Sequence, residues 1–112
     1  MTGASADTPV LDTLAAMTAE SIARCGLDPN SLVAARLAAL VAVDAPAASY
    51  LMHVGAAMEA GVTAEQVQDI LIAVAPIVGT PRTISAAAKI TDALGIVVVA
   101  LAAELEAEEA GE

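Results

Sequence analysis

The chain contains no tryptophan or phenylalanine, and tyrosine, histidine and cysteine occur once each, as Tyr50, His53 and Cys25. A single cysteine closes no internal disulfide, and with only one histidine beside it no structural zinc site can be assembled from these two residue types. Cationic side chains are nearly as scarce. Arg24, Arg36, Arg82 and Lys89 face 14 acidic residues, for a formal charge of -10, so no basic patch exists to neutralise phosphates and nucleic acid is not an expected partner. Long hydrophobic runs are missing too. The longest uncharged apolar stretches, Ile70 to Thr80 and Ala93 to Ala103, are each about half of the roughly 20 residues that cross a bilayer, so no membrane partner is expected. The opening MTGASADTPV has neither the basic region nor the apolar core of a signal peptide, and a cytoplasmic protein is expected.

What the chain has in excess is alanine, 29 of 112 residues, within a hydrophobic fraction of 58%. Ordinary soluble domains carry about 45–50% even with glycine counted. A chain of this length forms one domain and, alone, buries only about two-thirds of its unfolded surface. The apolar surplus is therefore expected at subunit contacts, where small side chains let helix backbones approach closely, and a homo-oligomer follows. The acidic excess keeps such an assembly soluble. Within the single domain of residues 1–112, residues 1–8 are expected to be flexible. Five acids fall between Glu104 and Glu112; negative charge at a helix C-terminus opposes the helix dipole, so residues 107–112 are expected to fray into a solvated acidic tail.

Period-3.6 patterns and helix start signals recur, while alternating β-branched runs do not, so the expected fold is all-α, a compact bundle of about six helices. Asp7 or Thr8 can cap a first helix opened by Pro9, with Val10, Leu14, Met17 and Ile22 on its buried side and its end near Cys25-Gly26. Asp28 to Ser31 makes a turn and a cap. The second helix, about Leu32 to Val43, is apolar almost all round and is expected to be buried on every side, with Arg36 as its one interior charge. A third helix runs from about Pro46 to Ala60, and Gly61 ends it as a C′ glycine. Thr63 and Gln66 have capping-box spacing for a fourth helix, with Val67, Ile70, Leu71 and Val74 on one face. Pro76 should kink or loosen its last turn. Thr80-Pro81 opens a fifth helix, with Ile84, Ala87, Ala88, Thr91 and Leu94 on one side and Arg82, Ser85, Lys89 and Asp92 more exposed. Gly95 is expected to interrupt it before a last helix from about Ile96 to Glu106.

One stretch carries a family signature. His53-Val54-Gly55-Ala56-Ala57, Gly61-Val62-Thr63, Glu65-Gln66-Val67 and Gly79-Thr80-Pro81, in that order and spacing, resemble the carboxymuconolactone decarboxylase and alkylhydroperoxidase D-like family over roughly Leu32 to Leu94. The resemblance implies an all-α fold assembled as homotrimers or homohexamers. The family's peroxidase branch carries a Cys-x-x-Cys-x-x-x-His strip with an upstream glutamate, because a thiolate must attack peroxide and a second thiol must resolve the sulfenic acid. Counted back from His53, those positions hold Pro46, Ser49 and Ala34. Thiol peroxidase and disulfide reductase chemistry is therefore not expected, and a peroxidase built on Cys25 would need that residue to act alone.

What remains resembles the cysteine-free decarboxylase branch, which implies conversion of a small lactone or keto acid without metal or organic cofactor. Such chemistry needs a proton donor or acceptor near the carbon losing carboxylate and a cation for the substrate's acid groups. His53 is the only side chain whose ordinary titration lies near neutrality. Ser49 stands one helical turn before it and Tyr50 three residues before it, so the three can share a catalytic pocket. Arg36 and Arg82 are the candidate substrate-binding cations, for a small anionic or apolar ligand. Bland readings stand beside these. His53 can be a hydrogen-bonded core or interface residue, Arg36 can pair with Asp44, Tyr50 can pack with its hydroxyl bonded, and Met52 and Met58 can fill gaps or line an apolar pocket. The alternative function is a noncatalytic assembly or small-ligand-binding protein that has lost the family's chemistry.

Overall fold

Five α-helices follow one another in the computed structural model, which describes residues 7–111: α1 (Pro9–Arg24), α2 (Pro29–Ala42), α3 (Ala47–Glu59), α4 (Ala64–Val78) and α5 (Thr80–Gly111). There are no strands among the described residues. The boundaries follow local chemistry. Asp28 accepts from the Ser31 backbone N–H to cap α2, ahead of Pro29 at its first position, and Thr63 accepts from the Gln66 backbone N–H to cap α4. At the end of α3 the backbone N–H groups of Gly61 and Val62 donate to the carbonyls of Met58 and Ala57. This is a Schellman closure, and Gly61 supplies the positive φ of 76° that it needs.

The end of α2 closes in the same way with an unusual residue. Asp44 and Ala45 donate to the carbonyls of Val41 and Leu40, and Asp44 takes a φ of 53°, the one positive value outside glycine among the described residues. Left-handed backbone costs a non-glycine residue about 1–2 kcal/mol. The side chain offsets this, because its carboxylate accepts from Lys89 Nζ at 3.0 Å and Ser85 Oγ at 2.9 Å on α5. Lys89 also donates to the Ala45 carbonyl at 2.9 Å, and Arg82 donates to the Ala42 carbonyl at 2.7 Å. Three side chains of α5 thus hold the corner between α2 and α3.

α2 is the central element and packs against α3, α4 and α5, which also pack on one another except for α3 on α4. Its Val33, Leu37 and Val41 are buried with Ala45, Tyr50, Ala86 and Ala93. Val67, Ile70, Leu71 and Val74 of α4 pack against this core, on the face expected from their spacing. A second lock joins three helix ends: Asn30 and Gln66 exchange amide hydrogen bonds at 3.0 and 2.6 Å, and Asn30 also donates to the Ala60 carbonyl.

Several expectations are corrected. Among the described residues there are five helices rather than about six, because α5 runs through Gly95 without a break; one glycine costs a helix only about 1 kcal/mol. The same helix continues to Gly111, past the end expected near Glu106. Alanine, leucine and glutamate are strong helix formers there and outweigh the opposed dipole. Residues 1–6 of the expected flexible start lie outside the described residues. Pro76 sits inside α4, which nonetheless continues to Val78. The buried stripe of α5 is Ala86, Ile90 and Ala93, whereas Ile84, Ala87, Ala88 and Thr91 are exposed and Leu94 is two-fifths exposed. The small residues face inward because they allow close approach to α3, and the Asp44 bonds fix the rotation of the helix.

The largest departure is α1. It packs against none of the other helices, and Val10, Leu14, Met17 and Ile22, expected to be buried, are each about half exposed or more. Its periodicity is real, but no surface of its own chain covers it. Nor is α2 closed on every side, since Ala35 and Ala39 remain exposed. The accessible surface is 7545 Å², where a compact monomer of this mass exposes about 5,600 Å².

Hydrogen bonds from Lys89 and then Ser85, with the charges of Lys89 and Arg82, hold the Asp44 carboxyl below its ordinary value of 3.8. A group whose folded value is depressed contributes stability that is complete above its unfolded value and disappears as pH falls through the folded one. Urea denaturation of the wild type and Asp44→Asn should therefore differ at about pH 6 and converge as pH falls to about 2.

Candidate functional site

α3 carries the residues that face two openings. From its first two turns Ser49, Tyr50 and His53 project, and the His53 Nδ1 atom lies 2.7 Å from the Ser49 main-chain carbonyl. A carbonyl oxygen only accepts, so Nδ1 carries the hydrogen and the Nε2 lone pair is left as the acceptor. Ser49 thus acts on His53 through its backbone, which side-chain spacing does not announce.

On its inner side His53 lines a cavity of about 110 Å³ among α2, α3, α4 and α5, together with Leu37, Tyr50, Val54, Ala57 and Val67. The walls are apolar because these helices turn their core stripes toward one another there. Tyr50 is 2% exposed. Its hydroxyl has no hydrogen-bond partner among the described residues, which corrects the expectation of a bonded phenol. Burial first, and then the negative charge of Asp44, push the phenol above its ordinary value of 10.0, so at neutral pH it is a donor seeking an acceptor.

On its outer side His53 lines an open cleft between α1, α2 and α3 with Arg36, Ser21, Met17, Ala39 and Leu40. Arg36 donates from Nη2 to Ser21 Oγ at 3.0 Å. It does not pair with Asp44, which is taken by Lys89 and Ser85, and no carboxylate partners it among the described residues. Arg82 is elsewhere, bonded to the Ala42 carbonyl at the α2 corner, and lines neither opening. The structure therefore brings His53 together with Tyr50 on one side and with Arg36 on the other, and leaves Arg82 apart. Met58 lines the inner cavity and Met52 does not. Cys25 lies at the end of α1, where its sulfur accepts from the Leu27 N–H at 3.5 Å, and lines neither opening. No group of three or more His, Cys, Asp or Glu residues gathers to hold a metal ion among the described residues.

The all-helical fold, with a histidine helix, a glycine-closed turn and a Thr-capped helix behind it, defines the class. The family model described as the carboxymuconolactone decarboxylase family matches residues 8–93, over three-quarters of the chain, and the protein belongs to that family. No curated protein and no solved structure matches it significantly. Val54, Ala57 and Val67 were read from sequence as motif or helix-face residues and not as lining a site, and Ser21 was not singled out at all. No local signal marks these roles, since each is an ordinary helical residue until tertiary packing places it.

An unsatisfied buried hydroxyl costs about 1–3 kcal/mol. Tyr50→Phe should therefore leave stability unchanged or raise it by about 1 kcal/mol in urea denaturation. A loss larger than that would reveal a partner for the oxygen.

Proposed function

We propose that the protein catalyses a cofactor-independent acid/base conversion, a decarboxylation or related reaction, of a small lactone or keto acid. His53 acts as general acid/base through Nε2, Arg36 holds a substrate carboxylate in the cleft that the two share, and Ser49 positions the imidazole. The supporting observation is that cleft: a histidine whose free lone pair is set by its Ser49 bond, beside a guanidinium with no carboxylate partner among the described residues. Loss of carbon dioxide from an acid activated by a neighbouring carbonyl breaks one carbon–carbon bond and leaves an electron pair behind. A solvent proton taken up by the Nε2 lone pair and passed on to the carbon quenches that pair, and the ring ends the step as it began, with Nε2 free. Arg82, occupied at the α2 corner, has no role in this reading.

The noncatalytic alternative calls for a His53 sealed among alanine and leucine contacts. The half-buried ring, lining two openings, favours the catalytic reading instead.

The protein is further proposed to work as a homo-oligomer, a trimer or hexamer, with the apolar face of α1 covered by another copy. Its support is the excess surface and the exposure of Leu14, Met17 and Ile22. Because α1 forms one wall of the cleft, assembly would hold that wall in place.

With a lactone or keto acid that the wild type turns over, His53→Ala should lower kcat by about 100-fold or more, the usual worth of a positioned acid/base group. Arg36→Met should raise KM more than it lowers kcat. Unchanged turnover in His53→Ala would remove the proposal. Analytical ultracentrifugation should give a mass of three or six chains, and Leu14→Glu with Met17→Glu should shift the protein toward monomer.

A further inference from the structure

The cleft that holds Arg36 has a second polar wall, and α1 supplies it. We propose, resting on the reading of Arg36 as a carboxylate anchor, that Ser21 completes the carboxylate site. Its hydroxyl accepts from Arg36 Nη2, which aims the guanidinium, and gives its own hydrogen to an oxygen of the substrate carboxylate. Ser21 Oγ lies 3.0 Å from Nη2 and lines the cleft with Arg36 and His53. Of the other cations, Arg24 pairs with Glu20, Lys89 pairs with Asp44, and Arg82 donates to the Ala42 carbonyl. Only Arg36 meets a hydroxyl among the described residues. A carboxylate or carbonyl only accepts, whereas a hydroxyl that accepts keeps one hydrogen to donate.

That hydrogen is not spent within α1. A helical serine or threonine commonly turns its hydroxyl back to the carbonyl four residues earlier, as Thr13, Thr83 and Thr91 do onto Pro9, Gly79 and Ala87. Ser21 makes no such bond to Met17 among the described residues and faces the cleft instead. α1 packs on no other helix, so it is the long arginine side chain that reaches it. An acceptor fixed at one end of the guanidinium fork removes much of that side chain's freedom before a substrate arrives. No aspartate or glutamate lines the cleft, although the chain carries 14 of them, so no protein carboxylate competes for its donors. Met17, Ala39 and Leu40 make the rest of the wall apolar, which suits a carboxylate on a small apolar frame.

His53 is the one histidine of the chain, so its ring signals report on the cleft by NMR of the full chain at constant pH. The probes are cyclopentanecarboxylate and its uncharged counterpart, cyclopentanecarboxamide. The carboxylate should shift the ring signals saturably and bind about ten-fold or more tightly than the amide, since charge-assisted bonds are the stronger. Ser21→Ala should weaken the carboxylate about five- to ten-fold, the worth of one hydrogen bond, and Ser21→Thr, which keeps the hydroxyl, should stay within about two-fold of the wild type. In an Arg36→Met background Ser21→Ala should change the affinity by no more than about two-fold. A serine that served only helix α1 would lose nothing as alanine, the better helix former. The proposal is overturned if Ser21→Ala binds the carboxylate as the wild type does, if Ser21→Thr binds it as weakly as Ser21→Ala, or if the loss is the same size without Arg36. Arg36→Met alone separates the two claims. If it leaves the carboxylate as tightly bound as before, or if the wild type binds none, the anchor reading falls and Ser21 falls with it; if it abolishes binding while Ser21→Ala does not weaken it, Ser21 alone falls.

Discussion

The rest of the structure depends on one strained residue. Asp44 stands in the left-handed region at the end of α2, and its carboxylate ties that end to Ser85 and Lys89 of α5. Glycine would turn the chain with less strain but would not hold α5. The corner fixes the direction in which α3 leaves and the rotation of α5 about its own axis. Between them these decide that Tyr50 is buried and that Ala86 and Ala93, rather than the bulkier Ile84, face inward. A core with so few large side chains has little shape with which to specify register. Polar bonds at helix ends do that work instead, since a hydrogen bond is directional and alanine contact is not.

The site has a corresponding simplicity. One imidazole, oriented by a main-chain carbonyl one turn earlier, separates an apolar interior from a cleft with a cation. Family membership accounts for the frame, and Pro46 and Ser49 at the thiol positions explain why no cysteine lines either opening beside the ring. The outer wall of the cleft belongs to α1, the one helix that its own chain leaves uncovered.

Much of this was legible beforehand, wherever the signal was local. Asp28, Thr63 and Gly61 announce caps because each acts within three or four residues of itself, and the order of short motifs from His53 to Pro81 pointed to the family. The inward face of α4 could be read because its apolar residues contrast with Glu65, Gln68 and Asp69. α5 has no such contrast, since alanine occupies several faces, and its rotation depends on a bond to Asp44 more than forty residues away. For α1 the apolar stripe was read correctly and its burial was not, because periodicity reports a face and not what covers it. The cavity, the orphan Tyr50 hydroxyl and the diversion of Arg36 to Ser21 arise only from tertiary packing.

The two ends of α3 are fastened by chemically different devices. Its entry is held by an ion pair, Asp44 with Lys89, while its exit is held by the neutral amides of Asn30 and Gln66, each donating to the other. Amides do not titrate and salt does not screen them, whereas the carboxylate does titrate and its pair is screened. α3 is therefore anchored like a lever with one conditional and one unconditional support. Acid or high salt weakens the support nearest Tyr50, where Lys89 and Arg82 still donate to the Ala45 and Ala42 carbonyls, and leaves the clasp at Gly61 untouched, so solvent conditions act unequally on the two ends of one helix.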